Sequence, residues 1–118
     1  MIPETNIKNA ISDLWIERFP DQNTTNFPKG LIKRISMVAI KNKTGIVSGQ
    51  YTSRISIIWY DLDSRLFDAK MASIIATMDT IKSDANITSV AYDGRTSGVD
   101  PETRMEVMNL DFIIKHYI

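Results

Sequence analysis

The sequence predicts an α+β fold: a four-stranded antiparallel twisted sheet with two helices on one face, in the order α-β-β-α-β-β. Three observations predict it. Residues 4–18 and 64–82 repeat apolar positions every three or four residues, as a helix covering a core does. Residues 51–60 and 104–117 alternate apolar and polar positions, as half-buried strands do. Each helix is followed by two extended segments with a glycine-containing polar stretch between them, so two hairpins are available to one sheet.

Taken in order, Ile7, Ile11, Leu14 and Trp15 form the apolar stripe of the first helix, 4–18. Thr5 or Asn6 is its expected N-cap, and Pro20 marks its end. Residues 20–30, with two prolines, a glycine and a polar cluster, read as a loop. Residues 31–40, rich in β-branched side chains, read as a strand. Residues 41–50 hold two glycines and little that packs, so they read as a long hairpin loop. In the strand 51–60, Tyr51, Ile55, Ile57 and Trp59 share one face and Thr52, Arg54 and Ser56 the other.

The second helix, 64–82, carries Phe67, Met71, Ile74, Met78 and Ile81 on one stripe, with Ser64 as cap. Residues 87–92 read as a short strand and 93–103 as a second long loop. The last strand, 104–117, turns Met108, Leu110, Phe112 and Ile114 to the core. Trp15 and Trp59 are expected to anchor the contact between helices and sheet.

With 118 residues the chain is the size of a single domain, 1–118. It has no cysteine, which excludes thiol catalysis, thiolate metal sites and disulfides. Fourteen basic and fourteen acidic residues leave no basic excess for wrapping a nucleic acid. The N-terminus has no secretory apolar run, and no stretch approaches the ~20 apolar residues of a membrane span, so a soluble protein is expected.

The residues assign no catalytic role, cofactor or metal. The sole histidine, His116, lies on the last strand and reads as a packed or solvated side chain. Asp61 and Asp63 precede a helix, where carboxylates favour the N-terminal dipole over a cation. Asp93, Asp100 and Glu102 lack the spacing of a calcium loop. GIVSG is not followed by the Lys of a phosphate-binding loop. Met71 and Met78 read as core.

Charge, however, is unevenly distributed. From Lys29 to Arg54 there are six basic residues (Lys29, Lys33, Arg34, Lys41, Lys43, Arg54) and no acid. From Asp84 to Asp111 there are six acids (Asp84, Asp93, Asp100, Glu102, Glu106, Asp111) against Arg95 and Arg104. Either the two hairpins neutralise each other within one subunit, or the basic hairpin of one copy meets the acidic hairpin of the next. In the second case Lys33, Arg34, Lys41, Lys43 and Arg54 face some of Asp93, Asp100, Glu102, Glu106 and Asp111, with Arg95 and Arg104 at the same boundary. Such a head-to-tail contact closes into a ring when its rotation permits.

The element order, with the segments NIKNAISDLWIERFP, YTSRISIIWYDLDSRLFDAKMASIIATM and DGRTSGVDPETRMEVMNLDFIIKHY, resembles the tail terminator (tail-to-head joining, or tail completion) proteins of long-tailed bacteriophages. That family commonly ends in a D-P-[DE]-T turn and a long apolar strand, to which DPETRMEVMNLDF is similar. Arg104 stands where many relatives carry glycine. The resemblance implies a structural protein rather than an enzyme: a homohexameric ring on the last ring of the tail tube that stops tube polymerisation. Its implied partners are further copies of itself, the major tail tube protein and the head completion or connector protein. The resemblance further implies that DNA passes through the lumen without sequence-specific binding and that no membrane is involved. The implied location is the tail or neck of the virion, after assembly in the host cytoplasm. The alternatives are another small neck or minor tail component, or a small ligand-binding regulatory module with a ferredoxin-like sheet.

Overall fold

A computed structural model describes residues 2–16, 29–41, 43–45, 47–61, 63–101 and 104–117. The chain runs through helix α1 (Glu4–Ala10), strands β1 (Leu14–Ile16), β2 (Lys29–Lys41) and β3 (Val47–Tyr60), helix α2 (Phe67–Thr80), and strands β4 (Ile87–Val99) and β5 (Glu106–Tyr117). Short 3-10 turns, Ser64–Leu66 and Ile81–Ser83, flank α2.

The sheet differs from the predicted one. It has five strands in the order β1-β2-β3-β5-β4, and it is mixed: β1 runs parallel to β2, while the other neighbours are antiparallel. The expected four-stranded antiparallel sheet in the order α-β-β-α-β-β is therefore overturned. The fifth strand comes from the second half of the expected first helix. Helix α1 stops at Ala10, Ile11 is extended (φ −126°, ψ 91°), and Leu14–Ile16 pairs with residues 30–32. Ser12 and Asp13 supply the break, since such side chains compete with the helix for backbone groups. Thr5 and Asn6, the expected caps, lie inside α1, and α1 has no side-chain cap bond.

The two expected long loops are largely strand. Antiparallel pairing of β2 with β3 continues to Lys41 and Val47, and that of β4 with β5 to Val99 and Glu106. Hydrogen bonding to a neighbouring backbone needs no apolar side chain, so these outer stretches form strands without an alternating pattern. Gly49 and Gly94 take positive φ values (85° and 144°) and let the extended backbone bend where other residues would be strained. In the expected 20–30 loop, Lys29 and Gly30 belong to β2 and the rest lies outside the described residues, as does the end of the predicted first helix. Fourteen residues of β3 span about 46 Å, which sets the 50 Å long axis of the molecule.

The core is close to the one expected. Ile55, Ile57 and Trp59 of β3 and Met108, Leu110, Phe112 and Ile114 of β5 are buried against Phe67, Ile74 and Met78 of α2 and Ile7 of α1. Trp15 does not join them: it is 51% exposed, with the Lys8 ammonium 4.5 Å from its ring centre. Leu14 takes the inward place, because in a strand neighbouring side chains point to opposite faces. Trp59 does anchor the core. Its ring lies 4.1 Å from the Lys70 ammonium, which also binds Asp13 at 2.6 Å and so ties α2 to the turn before β1.

Gly30 is required at the crossing of β1, β2 and β3. A methyl group there would run into the Leu14 side chain and come within 2.7 Å of the Trp59 ring. Gly30→Ala is expected to destabilise the chain by about 1–3 kcal/mol through overpacking, read as a lower urea midpoint at unchanged slope.

Candidate assembly edges of the sheet

The sheet order decides which backbone groups are left for a partner. β1 is three residues long and pairs with β2 only at residues 30–32. From Lys33 to Lys41, no described residue pairs with the outer side of β2. At the opposite side of the sheet, no described residue pairs with the outer side of β4. Unpaired strand edges are sites of strand addition unless they are blunted. Both edges carry bulges, at Arg34/Ser36 and Ala39/Lys41 in β2 and at Ile87/Ser89 and Tyr92/Gly94 in β4. Both also expose apolar side chains. Ile35 and Val38 are 56% and 63% exposed, and Tyr92 and Val99 are 42% and 62% exposed.

The charged residues singled out from the sequence fall on these edges and on the sheet face away from the helices. Lys33 is exposed near the start of the free stretch of β2, Lys41 is exposed at its end, and Lys43 is exposed in the hairpin turn. Arg34 is committed inside the subunit: its guanidinium donates to Glu4 Oε1 and to the Ile2 carbonyl, each at 2.6 Å. Arg54 reaches across the sheet to Asp93 at 3.1 Å, an ion pair joining the two hairpins within one subunit. Both members are about half exposed, so the pair contributes little, about 0–1 kcal/mol.

Arg95 turns to α2 and binds Asp68 at 2.7 Å. Asp100 and Arg104 lie in the turn before β5, where the Arg104 N–H donates to the Asp100 carbonyl at 2.7 Å. Arg104 takes φ 58°, the left-handed region that favours glycine. Glu106 is exposed at the first position of β5, opposite Val99. Asp111 is half-buried at mid-strand, and Glu102 lies outside the described residues.

The residues weighed for chemistry are engaged structurally. His116 is fully buried. Its Nδ1–H donates to the Tyr117 carbonyl at 3.0 Å, which leaves Nε2 to accept from the Ser53 hydroxyl at 2.7 Å. The histidine and serine are thus locked together without access for a substrate. Asp61 accepts from the Trp59 indole N–H (3.3 Å) and the Asp63 N–H (3.0 Å). Asp63, rather than the expected Ser64, caps the turn into α2 by accepting from the Arg65 N–H. The Arg65 side chain holds the Asp63 carboxyl below its ordinary value. Its contribution is therefore complete above the ordinary carboxylate range and lost as pH falls through the lowered value. Among the described residues no group of three His, Cys, Asp or Glu side chains converges to hold a metal ion. No helix among them is long and apolar enough to cross a membrane.

The sequence reading missed three features of this region. The Arg34–Glu4 pair joins positions far apart in the chain, with no local signal. Asp68 as the partner of Arg95 requires knowing that α2 crosses β4. The exposure of Ile35 and Val38 depends on β1 being short. No model of a known protein family matches the chain, and no curated protein matches it.

Proposed function

We propose that the chain is a structural subunit of the tail-terminator type. Copies assemble head to tail into a ring, hexameric by the family resemblance, that caps a phage tail tube, stops its polymerisation and joins it to the head connector. One observation carries this reading. Among the described residues the sheet has two unpaired edges on opposite sides, with Lys33, Lys41 and Lys43 at one and Asp93 and Asp100 beside the other. A subunit with different and complementary surfaces on opposite sides associates heterologously, and such contacts close into rings. The face away from the helices carries Lys33, Arg54, Asp111 and Lys115 at intermediate to full exposure among apolar residues such as Ile58 and Ile113, and offers a mixed surface for the tube or the connector. In this role the protein resides in the virion tail or neck.

The test is tail length. Phage lacking this protein are expected to accumulate tails longer than wild type and unattached to heads, counted by electron microscopy. Tails of normal length joined to heads would contradict the proposal.

A further inference from the structure

We infer that the subunit contact is a continuation of the sheet: the free stretch of β2 in one copy pairs antiparallel with β4 of the next, with Val38 opposite Thr96. The inference rests on the ring reading and specifies its interface.

Strand direction comes first. β2 is antiparallel to β3, β3 to β5 and β5 to β4, so β2 and β4 run in opposite directions. A second copy in the same orientation as the first therefore presents its β2 antiparallel to β4 of its neighbour. Antiparallel pairing is also the slightly more stable mode.

Register follows from side-chain faces and charge. Ser36 and Val38 share the helix-free face with Thr52 and Arg54, and Thr96 and Gly98 share it with Asn109. Faces match when Val38 lies opposite Thr96 and Ser36 opposite Gly98, and a slip of one residue would mismatch them. With the β2 bulge at Ile35, this register brings Lys33 beside Asp100 at one end and Lys41 beside Asp93 at the other. A slide of two residues one way sets Lys41 against Arg95. The opposite slide, with the β4 bulge at Asp93 counted, leaves both lysines beside neutral residues, Gly98 and Val90. Two-fold pairing of β2 with itself about Met37, with the same bulge at Ile35, sets Lys33 opposite Ile40 and brings no acid to either lysine. Opposite charges across a strand pair attract and like charges repel, so charge favours the head-to-tail arrangement, which alone gives both lysines an acid, and one register within it.

The absence of native cysteine makes the contact directly testable. Val38 is 63% exposed and Thr96 is exposed, so both positions accept substitution without loss of core. In the double variant Val38→Cys with Thr96→Cys, mild oxidation is expected to give a covalent ladder of subunits ending in a closed ring. Directly opposed strand positions lie within the Cα separation a disulfide spans, and positions displaced by two residues do not. The control Val38→Cys with Gly98→Cys is therefore expected to cross-link poorly, and Val38→Cys alone not at all. Unchanged thermal midpoints of the reduced variants confirm folding, and native mass is recorded alongside. An assembly with ring mass but no ladder overturns the edge contact and leaves the ring reading standing. A disulfide dimer from Val38→Cys alone, or a ladder from the Gly98 control equal to that of the Thr96 pair, also overturns it. A monomer at every concentration, with no ladder, overturns both.

Discussion

Phe112→Ala is expected to destabilise the chain by about 3–5 kcal/mol, the range for truncating a buried aromatic side chain. Phe112 is 1% exposed and sits on the interior strand β5, between Ile55 of β3 and Tyr92 of β4. Its ring lies 5.6 Å from that of Tyr92 at a tilt of 55°, so truncation also removes an aromatic contact. Pairing on both sides holds β5 in place, and the cavity has little freedom to collapse. For a domain of this size the loss corresponds to a fall in Tm of roughly 10–30 °C. Ile113→Ala, on the opposite face and only half-buried, is the control and should cost about 1 kcal/mol. A loss below about 0.5 kcal/mol at Phe112 would show that the faces of β5 are assigned wrongly.

The second large effect is on assembly. Lys33→Glu with Lys41→Glu should abolish ring mass at concentrations where the unaltered protein assembles. Each exposed pair contributes only about 0–1 kcal/mol, and reversal replaces attraction with repulsion of similar size. Two reversals per contact therefore amount to about 2 kcal/mol, close to 30-fold in affinity. A closed ring needs every contact at once, so the losses compound. Both lysines are exposed, and the unfolding midpoint of the subunit should change little. Asp93→Lys with Asp100→Lys, added to the reversed variant, should restore assembly in part. High salt should also soften the defect, because charges are screened beyond about 8 Å near physiological ionic strength. Sedimentation velocity reads all of these, and an unchanged ring in the doubly reversed protein would exclude Lys33 and Lys41 from the contact.

What the sequence disclosed depended on where each side chain ends up. Phe67, Ile74 and Met78, and the alternating residues of β5, were legible because a buried stripe must follow the period of its element. The first helix was overextended because Ile7, Ile11 and Leu14 are all buried, and their spacing fits a helix although the chain changes to strand after Ala10. The start of β3 (47–50) and the outer half of β4 (93–99) are read as loop because strands that bury neither face carry no alternation, and Gly49, Gly94 and Gly98 imitate loop composition. Lys33, Lys41, Asp93 and Asp100 could be counted as an asymmetry of charge. That the asymmetry falls on opposite edges depends on β5 lying between β3 and β4, a long-range arrangement with no local signature. Arg34 and Arg54 show the limit of counting, since both bind acids within their own subunit.

The proposed ring requires two complementary edges that close identical subunits on one another. Native mass measurement of the purified protein across a range of concentrations tests it most directly. The expected result is one closed species of fixed copy number, six if the ring is of the tail-terminator type, in equilibrium with monomer and not growing further as concentration rises. A monomer at every concentration, or a two-fold dimer as the end state, would contradict it.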